Sequence, residues 1–447
     1  MKRAHEYTEL DLFSECGENA QVEKVLWDEF ACEDVLTKDI SELNFTLRAG
    51  GDKTLVDLSR AQLEVKMQIV NKDGSDVTDT MDKAIPTKVS VRAMEKVAPI
   101  NNTLHSIFED CTIYLNDVEV SSANKLYPFS SYLMDLFDTT SEQKTSYMTS
   151  QLWYKNGAFN NTETNKGFKA RGKHFGSEAY GMIGKLHSEL FNQERYILNG
   201  VEVKVKMTLA KPKFYLMTTE KKGDVTVPND SYKIKIIDAK MYVPYVQVNK
   251  EIMMDIEKNI AKKPAVYHVK HIITKAFPIL TSTLEHTIDN VSKGQMPSKI
   301  IVGFINAKAK QGELDTTPLF FGANYMKKIE LNVNGMPYSK RALTSDFKQN
   351  AFAKTYMNLF ESLNYIEDGA NTPQITSTDF EYGYALYPFN LNPGCCSDPG
   401  VFKKSGDVSI YLELEEDPRA VHLQMIVMSV YDKCIKIDED RNFTKDW

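Results

Sequence analysis

The chain has 447 residues, 42% of them hydrophobic and 11% aromatic, with a formal net charge of −7 at pH 7. That length exceeds one ordinary core and suits two domains of about 200 residues each, and the apolar content excludes a disordered chain. The acidic balance, without any Lys/Arg block, argues against direct nucleic-acid binding.

Residues 1–40 read as an amino-terminal arm. Isolated apolar anchors (Leu10, Leu12, Phe13, Trp27 and Phe30) sit among charges without a sustained period. The opening MKRAHEYTELDLFSE holds two basic residues but no apolar run, so a secretory signal is not expected. Strand-like alternation begins at 41. Leu43, Phe45 and Leu47 share a face, Gly50-Gly51-Asp52 turns the chain, and Leu63, Val65, Met67 and Ile69 form a period-two strand that Asn71-Lys72-Asp73-Gly74 closes. FEDCTIYLNDVEV, 108–120, reads as a hairpin turning at Asn116-Asp117. The polar stretch 138–180 reads as a long loop with scattered aromatics, and such a loop inside a compact domain is functional or an elaborated surface. KLHSELFNQER, 185–195, fits a short helix or an extended connection. Val201, Val203, Val205 and Met207 are in phase for a strand, and 231–248 is another strand run.

NKEIMMDIEKNIAKK, 249–263, is the clearest helix. Asn249 can cap it, Ile252, Met253, Ile256 and Ile260 make its apolar face, and Pro264 stops it. A domain boundary is placed there. Strands resume at AVYHVKHIITKAF, 265–277, and PSKIIVGFINA, 297–307, begins a new strand series. MKKIELNVNGMPY, 326–338, is a second hairpin, with Asn334-Gly335 as its turn. A loop at 365–378 leads to strands at 380–391, 407–417 and 420–440. No apolar run, LQMIVMSV at 423–430 included, is long enough to cross a bilayer.

Each hairpin is followed by a similar helix-like segment, YLMDLF at 132–137 and TYMNLF at 355–360. VEVKVKMTL at 201–209 matches VSIYLELEE at 408–416. Three matched features in one order indicate an internal duplication of a strand-rich unit. The 22 Tyr and 22 Phe favour strands as well. The fold class expected from pattern alone is all-β, a sandwich with short helical insertions.

Chemistry is harder to find. His268 and His271, three apart on a strand, face opposite sides and cannot share a metal. His187 and Glu189 suggest an acid/base pair, but residues two apart on a helix do not face each other. No nucleophile elbow, HExxH, Walker A or GxGxxG pattern occurs. VNKDGSDVTDTMD, 70–82, lacks the closing Glu and flanking helices of a calcium loop and reads as a solvated turn. The six cysteines (16, 32, 111, 395, 396, 434) form no CxxC and read as reduced thiols, with a vicinal Cys395–Cys396 disulfide as the alternative. Tyr147, Trp153, Tyr154, Phe159 and Phe168, interleaved with Lys155, Lys166, Lys169, Arg171 and Lys173, fit either a solvated loop or a nucleic-acid or glycan contact. No catalytic, cofactor-binding or metal-ligating residue is assigned. No cofactor is expected, and the chain does not read as an enzyme.

A family resemblance organises these readings. In collinear order come ELDLFSE, GGDKTLVDLSRAQLEVKMQI, PINNTLHSIFEDCTIYLNDVEV with YPFSSYLMDLF, QLWYKNGAFN with NKGFKAR, and GKLHSELFNQERYILNGVEVKVKM. IIDAKMYVPYVQV, KGQMPSKIIVGFINAKAKQG, IELNVNGMPY, FEYGYALYPFNL and IKIDEDRNFTKDW follow. Together they resemble the hexon-type major capsid protein of Polinton (Maverick) elements and adintoviruses. One departure is the arm, where SECGENAQ stands after LDLF in place of a Pro-rich segment.

The resemblance implies a double jelly-roll of two side-by-side eight-stranded β-sandwiches. It divides the chain into an arm (1–40), a first jelly-roll (41–248), a connecting helix (249–263) and a second jelly-roll with a C-terminal tail (264–447). It implies homotrimers that tile an icosahedral shell, with neighbouring capsomers and a penton or minor capsid protein at the vertices as partners, in the virion. Loops at 138–180 and 339–378 become candidates for the outer crown or trimer-locking contacts. The arm and the tail, 432–447, become candidates for contacts beneath the shell. The rival readings are a tandem β-sandwich that binds a glycan or receptor, an enzyme on a double-sandwich scaffold, and a minor capsid protein.

Overall fold

Alternating apolar residues become strands wherever one face can be buried, and this chain does so twice in the same order. The computed structural model describes residues 22–446 apart from 37–39, 49–50, 52–53, 78–96, 122–123, 160, 176–178, 219–220, 223–224, 227–230, 280–282, 312–316, 323–325, 340–341, 367–372, 393–403 and 416–421. Leu10, Leu12, Phe13, Cys16, Gly50, Asp52, the end of the calcium-like stretch (78–82) and the Cys395-Cys396 pair lie outside the described residues.

The principal strands of the first half are β1 (Val22–Ala31), β2 (Glu42–Leu47), β3 (Gln62–Asn71), β4 (Phe108–Leu115), β5 (Val118–Glu119), β6 (Tyr180–Lys185), β7 (Val203–Leu209) and β8 (Tyr232–Val248). Those of the second half are β9 (Ala265–Pro278), β10 (Glu285–Ser292), β11 (Lys299–Asn306), β12 (Met326–Val333), β13 (Met336–Pro337), β14 (Leu386–Asn390), β15 (Val408–Leu414) and β16 (Leu423–Ile437). The two principal sheets of the first half are ordered β1-β8-β3-β6 and β2-β7-β4-β5. Those of the second are β9-β16-β11-β14 and β10-β15-β12-β13. Each strand of the second half stands eight places after its counterpart, so the two sandwiches share one topology. All the strand pairings along these four paths are antiparallel.

The likeness extends to single hydrogen bonds. In the first hairpin the Asn116 N–H donates to the Glu202 carbonyl at 3.0 Å, and the Glu202 N–H donates back to Asn116 Oδ1 at 2.8 Å. In the second, Asn334 and Asp407 exchange the same two bonds, both at 2.9 Å. Asn116 and Asp117 adopt φ of 44° and 66°, and Asn334 and Gly335 adopt 51° and 78°, the doubly positive turn that matches the twist of a tight hairpin. Both expected hairpins are therefore present, each clasped to the start of the neighbouring strand.

Helix α1 (Tyr127–Asp138) follows the first hairpin, α2 (Lys166–Gly172) lies in the polar stretch, α3 (Lys250–Ile260) joins the halves, and α4 (Ala353–Glu361) follows the second hairpin. α3 starts as expected, with Asn249 Oδ1 accepting from the Glu251 N–H at 3.1 Å. Met253 and Ile260 are buried and Ile252 and Ile256 partly so.

Two hydrophobic cores result. One fills the first sandwich and is lined by Leu43, Phe45, Leu63, Val65, Met67 and Val205. The other fills the second sandwich but recruits first-half residues: Ala98, Ile100, Trp153, Phe159, Phe168 and, from α1, Phe129, Tyr132, Leu133, Leu136 and Phe137. Tyr132 stacks between Trp153 at 5.1 Å and Phe321 at 6.3 Å between ring centroids.

Two expectations are corrected. Residues 22–31, read as part of an arm without period, form edge strand β1, antiparallel to β8 with Trp27 opposite Pro244. Backbone pairing, not an apolar face, holds this strand, and pairing leaves no periodic trace. The stretch 138–180, read as a long loop, folds around three short helical segments, Ser141–Thr145, Tyr147–Gln151 and Lys166–Gly172. Its Trp153, Phe159 and Phe168 are core, and Arg171 is fully buried. The guanidinium of Arg171 donates to the carbonyls of Pro99 (2.7 Å) and Tyr154 (3.0 Å) and to Asn156 Oδ1 (3.0 Å), so these groups serve the interior and not a ligand surface. The tail folds back on its own sheet, with Phe443–Lys445 pairing β16, and Arg441 reaching Glu257 of α3 at 2.9 Å.

Candidate assembly surfaces and an interior polar cluster

Edge strand β1 groups several exposed apolar side chains. Val22, Val25, Leu26 and Trp27 are exposed, Trp27 by 50%. A long edge with apolar side chains is a template for another chain unless something covers it. The second half has its own exposed set in Met336 and Tyr338 at the β12–β13 turn, Met357 on α4, and Tyr382. Between the sandwiches runs a groove of about 760 Å³, in which Lys125, Lys211, Lys275 and Lys310 surround Phe214 and Phe277.

Among the described residues, one buried cluster brings together three side chains of metal-ligating type, and sequence reading did not assemble it. The short helix Thr103–Ser106 carries His105, α1 carries Asp135, and the connection after β6 carries His187. His187 Nε2 lies 2.9 Å from Asp135 Oδ1. His105 and His187 rings are 4.6 Å apart between centroids. One ligand-capable atom from each of the three lies within 4.8 Å of the others. The second oxygen of Asp135 accepts from Asn102 Nδ2 at 2.8 Å and Gln151 Nε2 at 3.1 Å. His105 Nδ1 meets the Tyr127 hydroxyl at 2.9 Å. His105 Nε2 and His187 Nδ1 are buried without a hydrogen-bond partner among the described residues. Burial, and secondarily the neighbouring His187, pushes His105 down to about 3, so its imidazole is neutral. Burial alone would raise Asp135, but His187 and the amide of Asn102 outweigh it and hold the carboxyl below its usual value.

The other sequence candidates separate as expected or find other partners. His268 is exposed beside Cys434, with Nδ1 3.2 Å from Sγ, whereas His271 is buried with Nδ1 3.0 Å from Glu189 Oε1. His187 and Glu189 do not meet each other. Each takes a partner from a different element. Lys155 pairs with Asp379 at 2.7 Å. The available signal for the missed cluster was Asp135 itself, a charge inside the apolar run SSYLMDLF, where the second copy has Asn358. No described helix is long and apolar enough to cross a membrane.

No family model matches the chain. A nematode protein, the uncharacterized protein F54H12.2 of Caenorhabditis elegans, is 22% identical over 394 residues, covering 87% of this chain and 90% of that one. Among solved structures, the Sputnik virophage cryo-EM structure matches with a TM-score of 0.69 at 12% identity, covering all of this chain and 92% of that one. The quasi-atomic capsid model of virus PBCV-1 matches at 0.60 and 10% identity, covering 97% and 99%. The mavirus major capsid protein matches at 0.52 and 12% identity, covering 98% and 94%. The fold is a double jelly-roll. It accounts for the repeated hairpin-plus-helix unit, since each jelly-roll contains one.

Proposed function

We propose that the chain is a hexon-type major capsid protein of the Polinton (Maverick) and adintovirus kind, acting by shape and burial and not by catalysis. The observation that carries this reading is the strand-for-strand repetition of one sandwich by the other. Two like sandwiches per chain, repeated by three chains, give six like walls, and six like walls tile a hexagonal lattice. The division into a first jelly-roll (41–248), a connecting helix (249–263) and a second jelly-roll (264–447) belongs to this reading, with β1 as the described part of the arm.

A closed trimer repeats one heterologous contact, which needs two different faces on each chain. The apolar edge of β1 supplies a face on the first half, and Met357 and Tyr382 supply one on the second. An obligate contact of this kind buries more than about 2,000 Å² per interface. Neighbouring capsomers and a vertex protein are the further partners, and the virion capsid is the location. The acidic chain coats but does not condense the genome. Burial takes Trp153, Phe159 and Phe168, three of the five aromatics of the glycan-binding alternative, off the surface, and leaves Tyr147 exposed and Tyr154 half-buried.

Light scattering after size exclusion tests the reading. The chain mass is 50.9 kDa, and a closed trimer appears at about 150 kDa. Hexagonal arrays in electron micrographs of that species are the expected follow-up. A stable monomer at micromolar concentration overturns the proposal.

A further inference from the structure

The three residues of the interior cluster come from parts of the chain that pack differently. His105 sits on a helix whose neighbours Leu104 and Ile107 belong to the first core. Asp135 sits on α1, whose flanking Leu133, Leu136 and Phe137 belong to the second. His187 sits on the connection between β6 and the Leu190–Asn192 turn, beside Leu186 and Leu190 of the first core. The cluster therefore lies inside the first half, where α1 leaves the first core for the second.

We propose that His105, Asp135 and His187, all from the first half of the chain, bind a divalent zinc ion that pins α1 to the body of the first sandwich. Two imidazoles and one carboxylate form the donor set of an open, four-coordinate zinc site, whose fourth position takes water. In such a site the ligand atoms stand about 3.4 Å apart. Here one pair is at 2.9 Å and all three atoms lie within 4.8 Å, so side-chain rotation alone closes the set.

The surroundings are built for ligation. A metal-bound carboxylate is held by hydrogen bonds on its other oxygen, and Asn102 and Gln151 do this for Asp135. A ligating histidine engages a partner through its second nitrogen, and Tyr127 does this for His105. The other nitrogen, His105 Nε2, is fully buried without a hydrogen-bond partner among the described residues, which a purely structural histidine rarely tolerates. The His187 side chain keeps 12% of its surface exposed and gives a metal its way in. This inference does not rest on the capsid reading, because it concerns a site within one chain.

The test uses the full chain, purified from zinc-supplemented medium without chelator. Plasma mass spectrometry is expected to find one zinc per chain. Asp135→Asn and His187→Ala should each lose it, while His268→Ala, which removes the exposed Cys434-linked imidazole, should keep it. Gln151→Met, which strips a bond from the ligating carboxylate, should weaken zinc binding by about tenfold or more. If the ligand variants do not fold, the wild-type chain decides: cobalt(II) should give the visible absorption of a tetrahedral site, and zinc chloride should raise the unfolding temperature of both wild type and His268→Ala. Zinc retained by Asp135→Asn and His187→Ala overturns the proposal. So does a wild-type chain that shows neither the cobalt spectrum nor a zinc-dependent shift.

Discussion

The two hairpin-plus-helix units are alike at the turn and unlike at the helix. Asn116 and Asn334 occupy the same turn position and make the same pair of bonds to the next strand. The helices that follow have diverged in burial. α1 buries residues on every side, from Tyr127 and Phe129 through Leu133 to Phe137, whereas α4 buries only Thr355 and Leu359. The turn is a local solution, dictated by two residues with positive φ, so both copies retain it. A helix answers to its neighbours. α1 lies where the sandwiches meet and is apolar nearly all round, and α4 has one covered face and is amphipathic.

The largest expected effect follows from that contrast. Phe129→Ala, in the buried copy, should cost about 3–5 kcal/mol through lost burial and the cavity left behind. Met357→Ala, 45% exposed on α4, should change stability by less than about 0.5 kcal/mol. Urea midpoints of the two variants give the comparison directly. Equal costs would mean that α4 is covered by something in solution, and a trimer contact is the first place to look.

The sequence shows the strands that bury one face and hides whatever depends on a partner. Leu63, Val65, Met67 and Ile69 announce β3 because every second side chain enters the core, and all four are fully buried. β1 announces nothing, since of its residues only Phe30 packs against the core and its order comes from pairing with β8. The stretch 138–180 misleads for a related reason. Some of its polar residues serve the fold itself, as with the Thr140–Gln143 capping box and the three bonds of buried Arg171, and polarity alone does not distinguish those roles from solvation. The His105–Asp135–His187 cluster was illegible in spacing, because three elements bring it together. Only the charge of Asp135 inside an apolar helix hinted that something had to meet it.

Whether the two cores act as one unit can be read from alkaline unfolding. Burial raises Tyr215 and Tyr245 in the first core, and Tyr132 and Tyr387 in the second, above the ordinary tyrosine value. The folded chain then holds protons that the unfolded chain releases above about pH 10. Stability from these groups is complete below that pH and is lost as pH rises through and beyond it, by up to about 1.4 kcal/mol per pH unit for each tyrosine. A single transition is expected, because α1 joins the cores. Tyr215→Phe and Tyr387→Phe should then flatten the same unfolding curve by similar amounts. Two transitions, each responding to one variant, would separate the sandwiches and leave α1 as a passive spacer.

The smallest effect tests the most faithful part of the duplication. Gly335 stands at φ 78° with open space where a Cβ would go, and Asp117 occupies the same turn position at φ 66°. Gly335→Ala therefore meets backbone strain and no clash, and should cost about 1 kcal/mol. Asp117→Gly relieves that strain but adds unfolded-chain entropy and removes the exposed ion pair with Lys204, a contact worth at most about 1 kcal/mol. Its net effect should fall within about 0.5 kcal/mol of zero. Thermal unfolding of the two variants measures both. If Asp117→Gly costs as much as Gly335→Ala, the first turn is held by its side chain and not by its backbone, and the two hairpins share a shape without sharing its cause.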